Sequence, residues 1–253
     1  MIQSGDELTG FRPTAEAPRL ATEARSVGQQ RGAVDLARWK PSVVLLDLGG
    51  VLFDYSSDGA LEQMRGASFP EAELEDFWLK SHWAALIATG RCTPIEFALG
   101  AIDELRLDTT AGDFLSEFQT WLRGYLPGAE SLLCDLAKSV RLSCFSNTNE
   151  IDAARFRSEF GVERHFEICF FSNEMGLRKP NQEAFCYVLD ALQITASDVL
   201  FLDDTPECVE GARKSGIRSE VSRGPREARA ALSRYFEPLV PSPLNSTLAT
   251  EVS

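Results

Sequence analysis

Two adjacent carboxylates, Asp203 and Asp204, close the wholly apolar run Val199-Leu200-Phe201-Leu202. At the end of a strand they repel one another unless a cation compensates them. Magnesium, a hard ion that takes oxygen ligands, suits the pair together with Asp47 and a backbone carbonyl. A turn with two solvated acids is the plainer alternative for that element alone. Asp47 follows Val43-Val44-Leu45-Leu46 and precedes Leu48-Gly49-Gly50, which puts a carboxylate at a strand end with a glycine-rich turn behind it. Such a group can attack a phosphorus or carbon centre, and the glycines let a substrate approach the backbone. Ser146 ends Cys144-Phe145-Ser146 before Asn147, Thr148 and Asn149, where a hydroxyl and free N–H groups at a helix start make an anion seat. Taken singly, Ser146, Asn147 or Asn149 reads as an ordinary N-cap. Lys179 stands in Gly176-Leu177-Arg178-Lys179-Pro180, held extended by the proline; alone it reads as a surface charge.

These residues need a scaffold that brings distant strand ends together. Apolar runs of strand length recur at Val43 to Leu46, Val140 to Phe145, Phe166 to Phe171 and Val199 to Leu202. Between the later three the spacing turns helical. One helix opens at Asn181 and carries Phe185, Val188, Leu189 and Leu192 on one face; another opens with Thr205 and Pro206 and stops at Gly216. Strand alternating with helix predicts an α/β fold with a doubly wound parallel sheet.

Residues 56–125 offer helices and no strand of comparable strength. Thr93-Pro94-Ile95-Glu96 is a capping box, and Phe114, Phe118, Trp121 and Leu122 make one apolar face. A helical subdomain inserted after the first strand, acting as a lid over the strand ends, is the simplest account. The division expected is a flexible N-terminal arm over 1–40, a core domain over 41–55 and 126–237, the helical cap over 56–125, and a flexible tail over 238–253. Within the cap, Phe97, Phe114, Phe118 and Trp121 read as packing residues. His82, Trp83 and Arg91 are candidates for facing the site, with packing or solvation as the alternative.

Composition bounds the partners. A net charge of -13 lacks the basic footprint that nucleic-acid binding needs, so an anionic substrate must be held by local groups. No stretch approaches the roughly 18 apolar residues of a membrane span, and no secretory signal opens the chain. The six cysteines show no C-x-x-C spacing and read as reduced thiols. A cytoplasmic enzyme acting on a small molecule, with neither nucleic acid nor membrane as partner, is the expectation.

Together the residues resemble the four motifs of the haloacid dehalogenase superfamily, in order and spacing, from Ser42 to near Ile217. Asp47-Leu48-Gly49-Gly50-Val51-Leu52 is similar to the nucleophile motif, Ser146-Asn147-Thr148 to the second, Gly176-x-x-Lys179-Pro180 to the third, and Asp203-Asp204 to the fourth. The resemblance implies a Rossmann-like core with a helical C1 cap, as in subfamily IA. It makes Asp47 the nucleophile of an aspartyl-phosphate mechanism, with Ser146 and Lys179 on the phosphoryl oxygens and Asn147 an extra donor to substrate. Magnesium would be held by Asp47, the carbonyl of Gly49, Asp204, and Asp203 directly or through water.

One position departs from the pattern. Phosphatases of this superfamily carry a second aspartate two residues after the nucleophile, where this chain has Gly49. General acid–base catalysis supplies about 10² to 10⁴ in rate, or about 3 to 5 kcal/mol of barrier. Three readings follow. The first is a phosphatase for a leaving group that needs little protonation, such as an anomeric sugar phosphate; the motifs are similar to those of the family's glucose-1-phosphate phosphatases. The second is a metal-independent 2-haloacid dehalogenase, which leaves Asp203-Asp204 unexplained. The third is a non-catalytic phosphate-binding module.

Overall fold

Val43–Leu46 has no polar residue on either face, and such a strand is stable only where helices cover both sides of its sheet. In the computed structural model, which describes residues 39–236, it becomes β1, the central strand of a five-stranded sheet. A separate ribbon pairs β2 (Phe53–Tyr55) antiparallel with β3 (Leu122–Tyr125). In the main sheet β1 lies between β4 (Arg141–Ser146) and β6 (Val199–Asp203). The strand β5 (Cys169–Phe171) lies outside β4 and β7 (Arg218–Val221) outside β6, every pair being parallel.

The two-residue alternation of the strands sorts their side chains into two layers. Val44, Leu46, Leu200 and Leu202 pack with residues of α6 (Ala129–Leu136), α7 (Glu150–Ser158) and α11 (Gly224–Leu232), among them Leu132, Phe156 and Ala228. Beyond the short helix α8 (Ser172–Met175), Phe185 and Val188 of α9 (Gln182–Leu192) and Ala212 of α10 (Pro206–Lys214) pack instead with Val43, Leu45, Val199 and Phe201. Truncating Leu45 to Ala, a side chain with no exposure, is expected to cost about 2–5 kcal/mol. From β4 the chain moves outward to β5, then crosses to β6 on the far side of β1. The strand order therefore reverses at β1, and the crevice over its carboxyl end is where such sheets bind ligands.

Between β2 and β3 run α1 (Ala60–Arg65), α2 (Glu71–Lys80), α3 (His82–Ala88), α4 (Pro94–Leu105) and α5 (Ala111–Phe118). The helix α4 starts where it does because Thr93 and Glu96 satisfy each other's backbone N–H groups and Pro94 needs no donor. It and its neighbours bury Phe77, Phe97, Phe114, Phe118 and Trp121 in one aromatic cluster, separate from the two layers of the sheet.

Four features differ from the sequence expectation. The expected stretch of helices over 56–125 ends in a strand, β3, that the pattern hides: four residues including Gly124, paired with a three-residue partner some 70 positions earlier. The strand expected from Phe166 shortens to Cys169–Phe171, because Val162–His165 is a 3-10 turn and the chain joins the sheet edge only gradually, through Glu167 N–H to the Leu142 carbonyl at 2.8 Å. The edge strand β7 was silent because Arg-Ser-Glu-Val looks like a polar loop. The expected arm lies outside the described residues up to 38, as does the tail from 238, but Trp39 belongs to the body. Its Nε1 donates to the Ser197 carbonyl at 3.0 Å and its ring lies 4.0 Å from the Arg218 guanidinium. All six cysteines are free, and no helix of the described residues is long and apolar enough to cross a membrane.

Candidate active site

The register sets Leu46 opposite both Cys144 and Leu202, so Asp47 emerges level with Asp203, and Ser146 lies at the same end of the sheet. The structure thus brings Asp47, Ser146, Lys179, Asp203 and Asp204 together. Lys179 is 2% exposed, and its Nζ spends all three protons: on Asp47 Oδ1 at 2.9 Å, Asp203 Oδ2 at 2.7 Å and the Phe145 carbonyl at 2.7 Å. The rings of Phe145 and Phe201 lie beneath it, 5.2 and 5.4 Å away. Burial opposes the ammonium charge, but Asp203 and Asp47 outweigh it and hold Lys179 above the usual lysine range.

One cation does not balance three carboxylates. Burial pushes the Asp47 carboxyl up to about 7, with Lys179 opposing and the charges of Asp203 and Asp204 adding. Burial and the neighbouring Asp203 push Asp204 up to about 6. Asp47, Asp203 and Asp204 each offer an oxygen within 4.8 Å of the others, an all-oxygen donor set that fits a hard divalent cation such as magnesium. Their freedom differs. Both oxygens of Asp203 are engaged, one by Lys179 and the other by the Thr205 N–H at 2.8 Å, whereas among the described residues the Asp204 side chain has only a 3.3 Å contact from the Thr205 hydroxyl. Among the described residues no backbone N–H donates to the Gly49 carbonyl, which leaves it free to serve as a further ligand.

The two glycines behind Asp47 are not equivalent. Gly50 has φ +68°, and a Cβ there would lie 2.1 Å from Asp204 Oδ2, so only glycine fits. A Cβ on Gly49 would meet nothing within 4 Å.

Asn147, expected as an additional donor to substrate, has another task. Its Oδ1 accepts the Lys179 N–H and its Nδ2 donates to the Lys179 carbonyl, both at 2.9 Å. The amide therefore clamps the main chain of the lysine from both sides. Sequence reasoning missed this pairing, and no local signal marks a contact across 32 residues. Ser146 Oγ makes no hydrogen bond among the described residues. Of the cap candidates, Trp83 packs flat against Gly100, His82 is exposed, and Arg91 Nη2 donates to the Gly176 carbonyl at 3.3 Å.

Comparison with known proteins agrees with this geometry. A drimenol cyclase of Aspergillus calidoustus is 26% identical over 204 residues, which is 76% of this chain but only 36% of that protein's length. A phosphatase of Mycobacterium tuberculosis is 27% identical over 190 residues, 70% of this chain and 85% of its own. An enzyme of the same superfamily from Bacteroides thetaiotaomicron, crystallised with magnesium and inorganic phosphate, is 25% identical. It superposes with a TM-score of 0.58 over 72% of this chain and 93% of that one. The sequence profile of haloacid dehalogenase-like hydrolases matches residues 41–216, a stretch that runs from the start of β1 through α10 and includes every residue of the site. The chain belongs to the haloacid dehalogenase-like hydrolase family.

Proposed function

We propose that this protein is a magnesium-dependent phosphomonoester hydrolase that forms an aspartyl-phosphate on Asp47 and acts on a small phosphorylated metabolite of the sugar-phosphate class. The observation that carries this reading is the group of three carboxylates around one fully buried lysine, with charge left over for a divalent cation. A carbon–halogen hydrolase of this fold needs the nucleophile but no metal, and gives Asp204 no task.

Magnesium, held by Asp47, Asp204, the Gly49 carbonyl and Asp203 directly or through water, would neutralise charge on the transferring phosphoryl group. The residues of the chain do the rest. Lys179 orients Asp47 and opposes its protonation, and its charge lies beside the arriving phosphoryl oxygens. Ser146 supplies a hydroxyl to one of those oxygens. An Asp47 oxygen attacks phosphorus, the bond to the leaving oxygen breaks, and that oxygen keeps the electron pair. Water then attacks the phosphorus as the bond to Asp47 breaks; the water's proton passes to solvent, from which the released leaving oxygen takes one up, and phosphate departs with the carboxylate restored. No carboxyl at position 49 protonates the leaving oxygen, which suits a leaving group stable as an anion, such as an anomeric sugar oxygen.

A panel of phosphate esters assayed beside 2-haloacids tests the reading. Release of phosphate from sugar and aryl phosphates, with no halide from the haloacids, is expected. Asp47→Asn, nearly isosteric, should lower turnover by about 10³-fold or more while the circular dichroism spectrum is unchanged. Halide release without phosphate release would overturn the proposal.

A further inference from the structure

Arg178 and Lys179 open the turn that the Asn181 N–H closes on the Arg178 carbonyl at 3.1 Å, and their side chains go to different parts of the molecule. Lys179 turns inward to Asp47 and Asp203. Arg178 turns toward the inserted helices, where its Nη1 donates to the Trp78 carbonyl and its Nη2 to the Leu79 carbonyl, each at 3.0 Å. Both carbonyls belong to the last turn of α2. The last amide to bond back into that helix is Ser81, to Phe77, so Trp78 and Leu79 have no helical donor. A planar fork on two adjacent orphan carbonyls, at the negative end of a ten-residue helix, is a bidentate C-terminal cap.

The cap is unusual in its origin. Among the described residues no carboxylate lies within salt-bridge distance of Arg178, so this half-buried cation is held by main-chain carbonyls of the insertion. The β2 and β3 ribbon flanks the insertion and Arg155 of α7 donates to the Gln119 carbonyl beside it; the contact of Arg178 comes from the residue next to the site's lysine. The insertion also presses on α8, just before that loop, and on the loop's first residue. Gly90, just after α3, approaches so closely that a Cβ there would lie 2.4 Å from the Asn173 carbonyl oxygen, and Arg91 reaches Gly176.

We infer that Arg178 is a positioning residue for phosphoryl transfer: its fork fixes the Lys179 loop against α2, so Lys179 spans Asp47 and Asp203 only while the inserted helices are docked. The inference deepens the phosphatase reading and rests on it for its kinetic readout alone.

The test compares Arg178→Ala and Arg178→Lys with Arg65→Ala in the full chain. Arg65 bonds Glu73 and the Leu105 carbonyl inside the insertion, so its loss is a stability control remote from the site. Amide hydrogen exchange at Lys179, whose N–H is held by Asn147, and at Ser81 reports docking without any assay of activity. Arg178→Ala is expected to speed exchange at both amides and to lower kcat on an aryl phosphate about 10- to 100-fold with KM changed by less than about threefold. Arg178→Lys, which keeps the charge and one donor end, should fold normally and fall between. Arg65→Ala should lower the melting temperature and leave Lys179 exchange and kcat alone. Wild-type exchange at Lys179 in folded Arg178→Ala would overturn the inference. If the wild-type protein hydrolyses no phosphate ester, the phosphatase reading fails, and the exchange pattern still decides what Arg178 does.

Discussion

Gly49 and Gly50 stand side by side and are glycine for different reasons. At Gly50 the positive φ and the carboxylate of Asp204 forbid any side chain; Gly50→Ala would push a candidate metal ligand aside, and loss of magnesium affinity is expected. At Gly49 neither obstacle exists. Neither crowding nor a positive φ therefore requires glycine at position 49. Gly49→Asp is expected to fold and to keep its metal affinity. Its kcat should rise most, up to about 10²-fold, for alkyl phosphates whose leaving oxygen needs a proton, and least for aryl or anomeric phosphates. A uniform fall across all leaving groups, with fold and metal affinity intact, would show that the glycine makes room for substrate instead. Asp47, Ser146 and the Asp203-Asp204 pair were legible in the sequence because each is a polar group at the end of an apolar strand, whereas Lys179, in a turn after α8, was legible only through its motif with Gly176 and Pro180. The service of Asn147 to Lys179 was not, since an amide's partner is set by tertiary approach and not by its neighbours in the chain.

Elements were legible in proportion to their burial. The strands β1 and β6, apolar on both faces, and α9 and α10, with apolar stripes and, in α10, a proline at the first position, could be read directly, although neither Asn181 nor Thr205 makes a side-chain cap bond. The ribbon and the outer strand β7 could not, because short strands with one polar face carry little periodic signal. One helix carries a cost that pH exposes. In α7 the third residue, Asp152, is 2% exposed; Asn149 Nδ2 donates to its Oδ2 at 2.8 Å, but its Oδ1 has no partner among the described residues. A carboxylate in a first turn gains about 0.3–1 kcal/mol from the helix dipole. Burial wins, pushing Asp152 from 3.8 up to about 6. The folded pKa is the higher one, so stability is full below the unfolded value and is lost as pH rises through about 6. The shift corresponds to about 3 kcal/mol at most. Asp152→Asn is therefore expected to be more stable than wild type at pH 8 by about 1–3 kcal/mol, with the difference vanishing near pH 4 in urea melts. A variant less stable than wild type at pH 8 would mean that the carboxylate has a charged partner in solution.

For the whole molecule, the net charge of -13 means that an anionic ester meets a repulsive field until it reaches Lys179 and whatever cation the carboxylates hold. The described residues begin with Trp39, whose ring also meets Tyr235 edge-on at 5.2 Å, so the first and last described segments are tied to each other. Trp39→Ala is expected to cost about 1–3 kcal/mol in urea melts, with kcat unchanged because the contact is remote from the strand ends. The central claim is that the surplus negative charge of Asp47, Asp203 and Asp204 exists to hold magnesium for phosphoryl transfer. Its most direct test is the initial rate of aryl phosphate hydrolysis by the wild-type protein, measured with magnesium, after EDTA, and after magnesium is restored. The account predicts turnover that stops with the chelator and returns with the ion; equal rates in all three conditions would contradict it.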